Sequence, residues 1–530
     1  MPATRDPRQA GPAADKLSSM LSGSGGGTDR FRLAGAHGTY TRRQLLTAAG
    51  RLTERLRGHG LGPGDRVLAL LDHDARGVVF LAAASALGLR VLMPYNLSAA
   101  ALPEWRSIAA DAHPDAVVHL RAGADHHRLA EVRALAASAV FLDPRDGLDE
   151  PGRDLDEQDA RPLPVEHPEP VAHFLTLFTS GSTGAPKAVS VSEALVCRRV
   201  RSVSGRLGFD ADARVFMSGL LNNTTGVIFS FGALLHDARL VLPSGRDPGA
   251  WPAEVARHRA THIMLRPRAL RRFVESARAG ETDLTCLRTV AYGAAALPRP
   301  LLEQARLLMP CDWVQGYGLS ETYGPFCWLD ESAHRSPGRL RHSYCVGRPD
   351  DTVELRVEPL PGHPPEVGEI LLRGDAVMEG YLDVASGRIR APGAWLRTGD
   401  LGAWSPEGDL LLKGRINGTV MSADGHRIYP AEVEGVLSTL DGVRDVVLLG
   451  LTGSDTPAER PVACVSGPLA ARTPGALRAA VRAALGGVLS REKWPDLLYA
   501  TTVPFPRGSN DKVLRAEVAR QIEHAALIQL

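Results

Sequence analysis

Leu175-Thr176-Leu177-Phe178-Thr179-Ser180-Gly181-Ser182-Thr183-Gly184-Ala185-Pro186-Lys187 sets an apolar strand directly before a loop of four hydroxyl residues and two glycines, closed by Pro-Lys. Glycines let the backbone turn so that several amide hydrogens converge, and the hydroxyls of Thr179, Ser180, Ser182 and Thr183 add donors. Together they can cradle phosphate oxygens, with Lys187 supplying a mobile positive charge. Loops rich in Ser, Thr and Gly are common; the strand before this one and the Pro-Lys after it favour an anion site. The spacing is not that of the nucleoside-triphosphatase loop, which needs four residues between a first Gly and Gly-Lys-Ser/Thr.

On both sides of the loop, helix and strand alternate. After Thr41, Leu45, Leu46, Ala49, Leu52 and Leu56 recur at helical spacing, and Gly58 and Gly60 close that helix. Pro63-Gly64-Asp65 turns into a strand at 67–71, followed by a helix around 78–87 and a strand at 91–93. Beyond the loop come a helix from Glu193 to about Leu207, a helix around 227–235, and strands at 215–217, 240–242, 261–265 and 287–291. Such alternation with short connections predicts a layered α/β domain. The Pro- and Gly-rich stretch 359–366 interrupts it, and strand-like segments at 368–372 and 409–412 follow, with a hairpin turn at Gly408-Asp409. From Arg415 onward the chain reads as a small α+β module, with helices at 431–440 and 474–489, a strand at 446–451 and a terminal helix from Leu514. The expected organisation is a flexible leader over 1–28, a large multi-layered domain over 29–414 and a small, mobile α+β domain over 415–530.

Composition narrows the function. The 530 residues carry 61 basic and 60 acidic side chains, a balance that creates no global field for nucleic acid or acidic lipid. No segment has about 18 uninterrupted apolar residues, so no membrane span is expected. The six cysteines are far apart, without the paired spacing of a zinc site or the density of a disulfide scaffold. A reducing, cytoplasmic setting and a monomer or homodimer are expected. The first 28 residues lack an apolar core and run into Ser22-Gly23-Ser24-Gly25-Gly26-Gly27, which reads as a frayed leader rather than a signal peptide.

Further segments carry chemistry in chain order. Tyr292-Gly293-Ala294-Ala295-Ala296-Leu297-Pro298 follows a strand with small residues, as main chain needs in order to pack on a flat heteroaromatic. Then come Gln315-Gly316-Tyr317-Gly318-Leu319-Ser320-Glu321-Thr322, Trp395-Leu396-Arg397-Thr398-Gly399-Asp400, Lys413-Gly414-Arg415, and Phe505-Pro506-Arg507-Gly508-Ser509-Asn510-Asp511-Lys512-Val513-Leu514-Arg515. With the loop at 178–187, this ordered set resembles the adenylate-forming superfamily, which includes acyl-CoA and aryl-CoA ligases, nonribosomal peptide synthetase adenylation domains and luciferase. The similarity runs from roughly Tyr40 to Arg515.

The resemblance implies an adenylation domain with a mobile lid, and ATP with Mg²⁺ as the activating pair. It places phosphate on Thr179, Ser180, Gly181, Ser182, Thr183, Gly184, Lys187 and Ser320. Adenine falls to Gly293, Ala294, Ala295, Tyr317 and Gly318, and ribose to Asp400 and Arg415. Glu321 takes the magnesium, and Thr183, Glu321 and Lys512 serve catalysis. A carboxylate can accept from both ribose hydroxyls at once, which an amide cannot do symmetrically. Asn417 stands at the hinge, where relatives carry Asp or Lys.

The resemblance also implies that a small-molecule carboxylic acid attacks the α-phosphorus, and that coenzyme A, a carrier-protein thiol or an amine then takes the acyl group. Coenzyme A is the simplest acceptor, in a specialised biosynthetic setting. The segment Ser218-Gly219-Leu220-Leu221-Asn222-Asn223-Thr224-Thr225-Gly226 has no acid to meet an α-ammonium, whose unpaired burial is costly. An ordinary amino acid is therefore disfavoured. Asn222 falls where the family's standalone enzymes for hydroxybenzoic acids carry an Asn, so the resemblance implies an aromatic or heteroaromatic acid in preference to an aliphatic one, with Asn222, Asn223, Tyr292 and Gly316 about it. Three departures stand out: Ala188 where Gly is usual, Glu193 where His is common, and Asp511 where Gly precedes the catalytic lysine.

Overall fold

The computed structural model describes residues 16–22, 30–35, 38–71, 73–94, 102–120, 140–142, 163–165, 167, 169–179, 187–336, 344–422, 426–453, 456–508, 512–523 and 525–530. The chain is a two-domain α/β protein, with a large N-terminal domain built on two extended sheets and a smaller C-terminal α+β domain.

The first sheet has a parallel centre. Strands Leu175–Thr179, Arg90–Met93, Arg66–Leu71, Ala116–Leu120 and Val140–Leu142 lie side by side in that order. Lys187–Val191 returns antiparallel beside Leu175–Thr179, and Gly380–Leu382 extends the edge. Its covering helices follow directly from sequence. Arg42–Gly58 begins in a capping box between Thr41 and Gln44 and buries Leu45, Ala49, Leu52 and Leu56. Apart from Arg76 in its first turn, Ala75–Leu87 is buried on every side, the signature of a helix enclosed by other layers.

In the second sheet, Arg32–Gly35, Arg239–Val241, Arg214–Phe216, His262–Leu265, Thr289–Gly293 and Asp312–Leu319 are parallel neighbours. It continues antiparallel through Gly324–Leu329, Cys345–Pro349, Leu410–Arg415, Leu396–Trp404, Gly368–Arg373 and Glu354–Pro359. The hairpin expected at Gly408 joins Leu396–Trp404 to Leu410–Arg415, with Gly408 at φ 80°. The C-terminal domain wraps Pro430–Leu437, Pro474–Gly486 and Arg515–Ile522 on a sheet of Asp445–Gly453, Thr456–Ser466, Leu497–Thr501 and Ile528–Gln529. Its two cores are separate from those of the large domain. Among the described residues no helix is long and apolar enough to cross a membrane, and the six cysteines are free thiols.

One expectation is corrected. Within the span read as a frayed leader, Leu17–Ser22 is a buried helix. Lys16 Nζ donates to Glu193 at 3.2 Å and to Glu169 O at 3.0 Å, and Leu17 N donates to Glu193 Oε1 at 2.9 Å. Arg42 Nη1 donates to the carbonyls of Met20 and Leu21 at the helix's other end. These anchors are far away in sequence, so the local polarity of the segment hides them.

Candidate active site

The predicted groups converge beside the ends of Thr289–Gly293 and Asp312–Leu319. Asp400 lies opposite Arg415 in the hairpin register, and Arg415 Nε meets Asp400 Oδ1 at 2.8 Å. The other carboxylate oxygen, Oδ2, accepts from Tyr317 Oη at 2.7 Å. Asp400 is only 5% exposed, so burial pushes its pKa up, while Arg415 and Tyr317 favour its ionised form. Arg415 is itself steadied by the Thr398 carbonyl at 2.8 Å.

Glycines allow the close packing here. A Cβ on Gly293 would collide with the Gly316 carbonyl, and one on Gly318 with the Gly324 carbonyl. Ala294 adopts φ +68°, an uncommon conformation for a residue with a Cβ, and Ala294, Ala295 and Ala296 are exposed. A flat group can therefore lie on main chain between this turn and Tyr317, whose ring is braced edge-on by Phe326 at 5.0 Å.

Glu321 sits in a 3₁₀ turn, Ser320–Thr322, that directly follows the Tyr317 strand. Its Oε1 accepts from Tyr381 Oη at 2.9 Å, and its carbonyl accepts from Met378 N. The Tyr381 ring lies 5.4 Å from Lys187 Nζ and 5.7 Å from the Arg390 guanidinium. Tyr381 thus bridges the predicted metal carboxylate and the phosphate-loop lysine, a role absent from the sequence reading. Its signal was weak: Gly380-Tyr381-Leu382 in a three-residue strand, where a Cβ at Gly380 would strike the Arg390 carbonyl.

Lys512 reaches this centre from the small domain. Burial first, and then the charge of Arg415, lower its pKa; Asp400 and Glu321 act in the opposite sense. As a residue, Lys512 remains exposed to solvent. Arg266, ahead of the helix Pro267–Ala279, adds a further cation that acts on Lys512.

Ser180, Gly181, Ser182, Thr183 and Gly184 lie outside the described residues, as does Asp511. The flanks of the loop are placed: Thr179 and Lys187 face each other across an antiparallel pair, so the loop is a strand-to-strand connection. Asn417 lies in the 3₁₀ turn Ile416–Gly418, directly after the Arg415 strand.

The positions predicted for the acid divide. Asn222 is buried, and its Nδ2 donates to the Pro94 carbonyl at 2.7 Å. Asn223 is the N-cap of helix Thr224–Leu235, accepting from Gly226 N, so its amide already serves the fold. Tyr292 is 3% exposed in the core that holds Trp313, and its hydroxyl meets His334 Nε2 at 2.9 Å. A core partner therefore occupies the group predicted to touch substrate. Gly316 lies under Pro325, which a Cβ would approach to 2.7 Å.

Glu321 and Asp400 are hard oxygen donors. Among the described residues no cluster of three or more metal-binding side chains occurs. A magnesium ion at Glu321 would draw its remaining ligands from nucleotide phosphates and water, its usual mode of binding.

Known proteins share this sequence pattern and fold. The family described as AMP-binding enzyme matches residues 25–382. A feruloyl-CoA synthase of Amycolatopsis sp is 29% identical over 418 residues, spanning 77% of this chain and 80% of its own. An indoleacetate–CoA ligase of Aromatoleum aromaticum is 29% identical over 502 residues, 92% of this chain and 94% of its own. The structure of an amide bond synthetase from Marinactinospora thermotolerans superposes with a TM-score of 0.80 at 26% identity, covering 96% of this chain and 100% of that one.

Proposed function

Since the chain belongs to the AMP-binding enzyme family and its chemistry is that of an acyl-adenylate-forming ligase, we propose that it activates an aromatic or heteroaromatic carboxylic acid with ATP and transfers the acyl group to the thiol of coenzyme A. The observation that carries this proposal is the meeting of Asp400, Arg415, Glu321 and Lys512, drawn from both domains, around one cleft.

In the first step a substrate carboxylate oxygen attacks the α-phosphorus. The bond to the bridging oxygen breaks, pyrophosphate leaves with that electron pair, and a mixed anhydride with AMP remains. Lys512 offsets charge building between the carboxylate and the α-phosphate, the kind of fixed electrostatic stabilisation that lowers such barriers. Magnesium, when bound, neutralises phosphate charge. Glu321 would be its protein ligand, and Tyr381 orients that carboxylate. The loop 179–184 with Lys187 and Ser320 holds the phosphates. Gly293, Ala294, Ala295, Tyr317 and Gly318 flank adenine, and Asp400 with Arg415 receives the ribose. Asn417 is the pivot about which the small domain, 415–530, turns between half-reactions. In the second step the acceptor sulfur attacks the anhydride carbonyl and AMP leaves.

Relatives named for feruloyl and indoleacetate substrates support the aromatic preference, and the acid-free segment 218–226 disfavours an α-amino acid. The amide bond synthetase neighbour favours a second reading, an amine acceptor on the same adenylation step. Mass spectrometry after incubation with MgATP, pooled aromatic and aliphatic acids, and either coenzyme A or amines separates the two. Aryl-CoA accumulation is expected. Amide formed without coenzyme A would replace the thiol acceptor, and absence of acid-dependent pyrophosphate exchange across the panel would defeat the adenylation itself.

A further inference from the structure

At the opposite end of the second sheet from Tyr317, three arginines stand in line. Arg32, Arg239 and Arg214 each open a strand, and the register pairs Arg32 with Arg239 and Arg239 with Arg214. Partners on neighbouring strands share a face, with strands ~4.8 Å apart. Like charges placed directly opposite repel one another, so Arg239, flanked on both sides, is the position that most needs a counter-charge.

For Arg239 the described residues supply none. With Arg30, Ala211, Asp212 and Ala213, the three line a surface recess of ≈ 240 Å³. Its one lining carboxylate, Asp212, is engaged by Arg30 at 2.7 Å. Arg214 Nη1 has the His258 carbonyl at 3.4 Å, and Arg32 Nη1 the Phe31 carbonyl at 2.7 Å. Among the described residues Arg239 makes no side-chain hydrogen bond or ion pair. Further along the same edge, by contrast, Arg288 is met by both oxygens of Asp210, at 2.9 and 3.2 Å. An acid balances that arginine, and among the described residues none balances Arg239.

We propose that this recess is a second anion site, outside the adenylation centre, that takes a diphosphate group. Guanidinium forks bind phosphate oxygens in pairs. A diphosphate spans about the inter-strand spacing and so bridges adjacent rungs, which a single phosphate cannot do equally well. The recess has room for roughly eight waters at liquid density, enough for a diphosphate with its inner hydration. It lies at the starts of the strands, whereas Gly293 and Tyr317 lie toward their ends, roughly 15 Å away along the strand direction.

Calorimetric titration of the full chain at low salt tests the site, with inorganic pyrophosphate, ADP and inorganic phosphate as separate probes. Two pyrophosphates per chain are expected in the unaltered protein, one of them in the adenylation centre. Arg239→Gln with Arg214→Gln should lose one equivalent and leave the KM for ATP in pyrophosphate exchange unchanged. Arg239→Lys, which keeps the charge but loses the fork, should weaken that equivalent about tenfold. Retention of both equivalents in the double variant, loss of binding together with a raised KM for ATP, or phosphate binding as tight as pyrophosphate would each overturn the proposal. If the lost equivalent binds ADP as tightly as pyrophosphate, the source is a nucleotide's diphosphate; if it binds pyrophosphate alone, the source is the free ion.

Discussion

Tyr317 Oη donates to Asp400 Oδ2 at 2.7 Å, across 83 residues of chain, and joins a strand of the parallel half of the sheet to one of the antiparallel half. The bond favours an ionised carboxylate that burial alone disfavours. Tyr317→Phe removes a donor to a charged group, worth about 1.5–3 kcal/mol. A drop of roughly ten- to a hundredfold in kcat/KM for ATP is expected. Losing that donor raises the pKa of Asp400 further, so the acidic limb of the adenylation profile should move to higher pH. Asp400→Asn should lose the limb altogether. An unmoved limb in Tyr317→Phe would show that Asp400 does not titrate in catalysis.

Lys512 gives the opposite limb. Its ammonium must be charged to stabilise the adenylation transition state, and its surroundings lower its pKa. A lysine is charged below its pKa, so adenylation should decline with rising pH before an ordinary lysine would deprotonate. Lys512→Arg keeps its charge throughout the accessible range, and its profile should stay flat where the unaltered enzyme falls. Lys512→Ala should lose pyrophosphate exchange far more than thiolysis of a supplied acyl-adenylate; equal losses would contradict the assigned step.

Much of this was legible because the signals are local. The Arg42–Gly58 helix follows from apolar spacing plus a cap three residues from its partner, and the hairpin at Gly408 from a turn glycine. Asp400, Glu321 and Lys512 sit in ordered motifs. What escaped depends on distant partners: Tyr381 meets Glu321 across 60 residues, and Glu193 holds Leu17 across 176. Asn223 and Tyr292 were assigned to substrate because residue type alone cannot separate a binding amide or hydroxyl from one serving a cap or a core.

Glu193, which departs from the common His, explains itself by what it holds. It is fully buried and accepts from Lys16 Nζ, Leu17 N, Val171 N and Ser85 Oγ. Glu193→Gln leaves the buried Lys16 without its carboxylate, a loss of about 3–5 kcal/mol for a broken buried pair. Lower thermal stability is expected, with adenylation parameters little changed at temperatures where the variant is folded. Lys16→Met with Glu193→Gln should recover part of the loss, because the unpaired charge is gone.

Tyr381 lets the metal assignment be tested without touching a metal ligand. Its hydroxyl holds Glu321 Oε1 at 2.9 Å, while its ring stays beside Lys187 and Arg390. Tyr381→Phe keeps the ring and removes only the hydroxyl, so packing and the cation contacts should persist. Glu321 then loses one charge-assisted bond and its fixed orientation, a change of about 1.5–3 kcal/mol. If Glu321 binds magnesium, that cost appears as a roughly ten- to hundredfold rise in the Mg²⁺ concentration giving half-maximal pyrophosphate exchange, and saturating magnesium restores most of the rate. If the hydroxyl instead positions the acid substrate, the loss stays at every magnesium concentration and follows the acid. Measuring exchange over a magnesium series at two acid concentrations distinguishes these outcomes, and a rate loss indifferent to magnesium would remove Glu321 from the metal site.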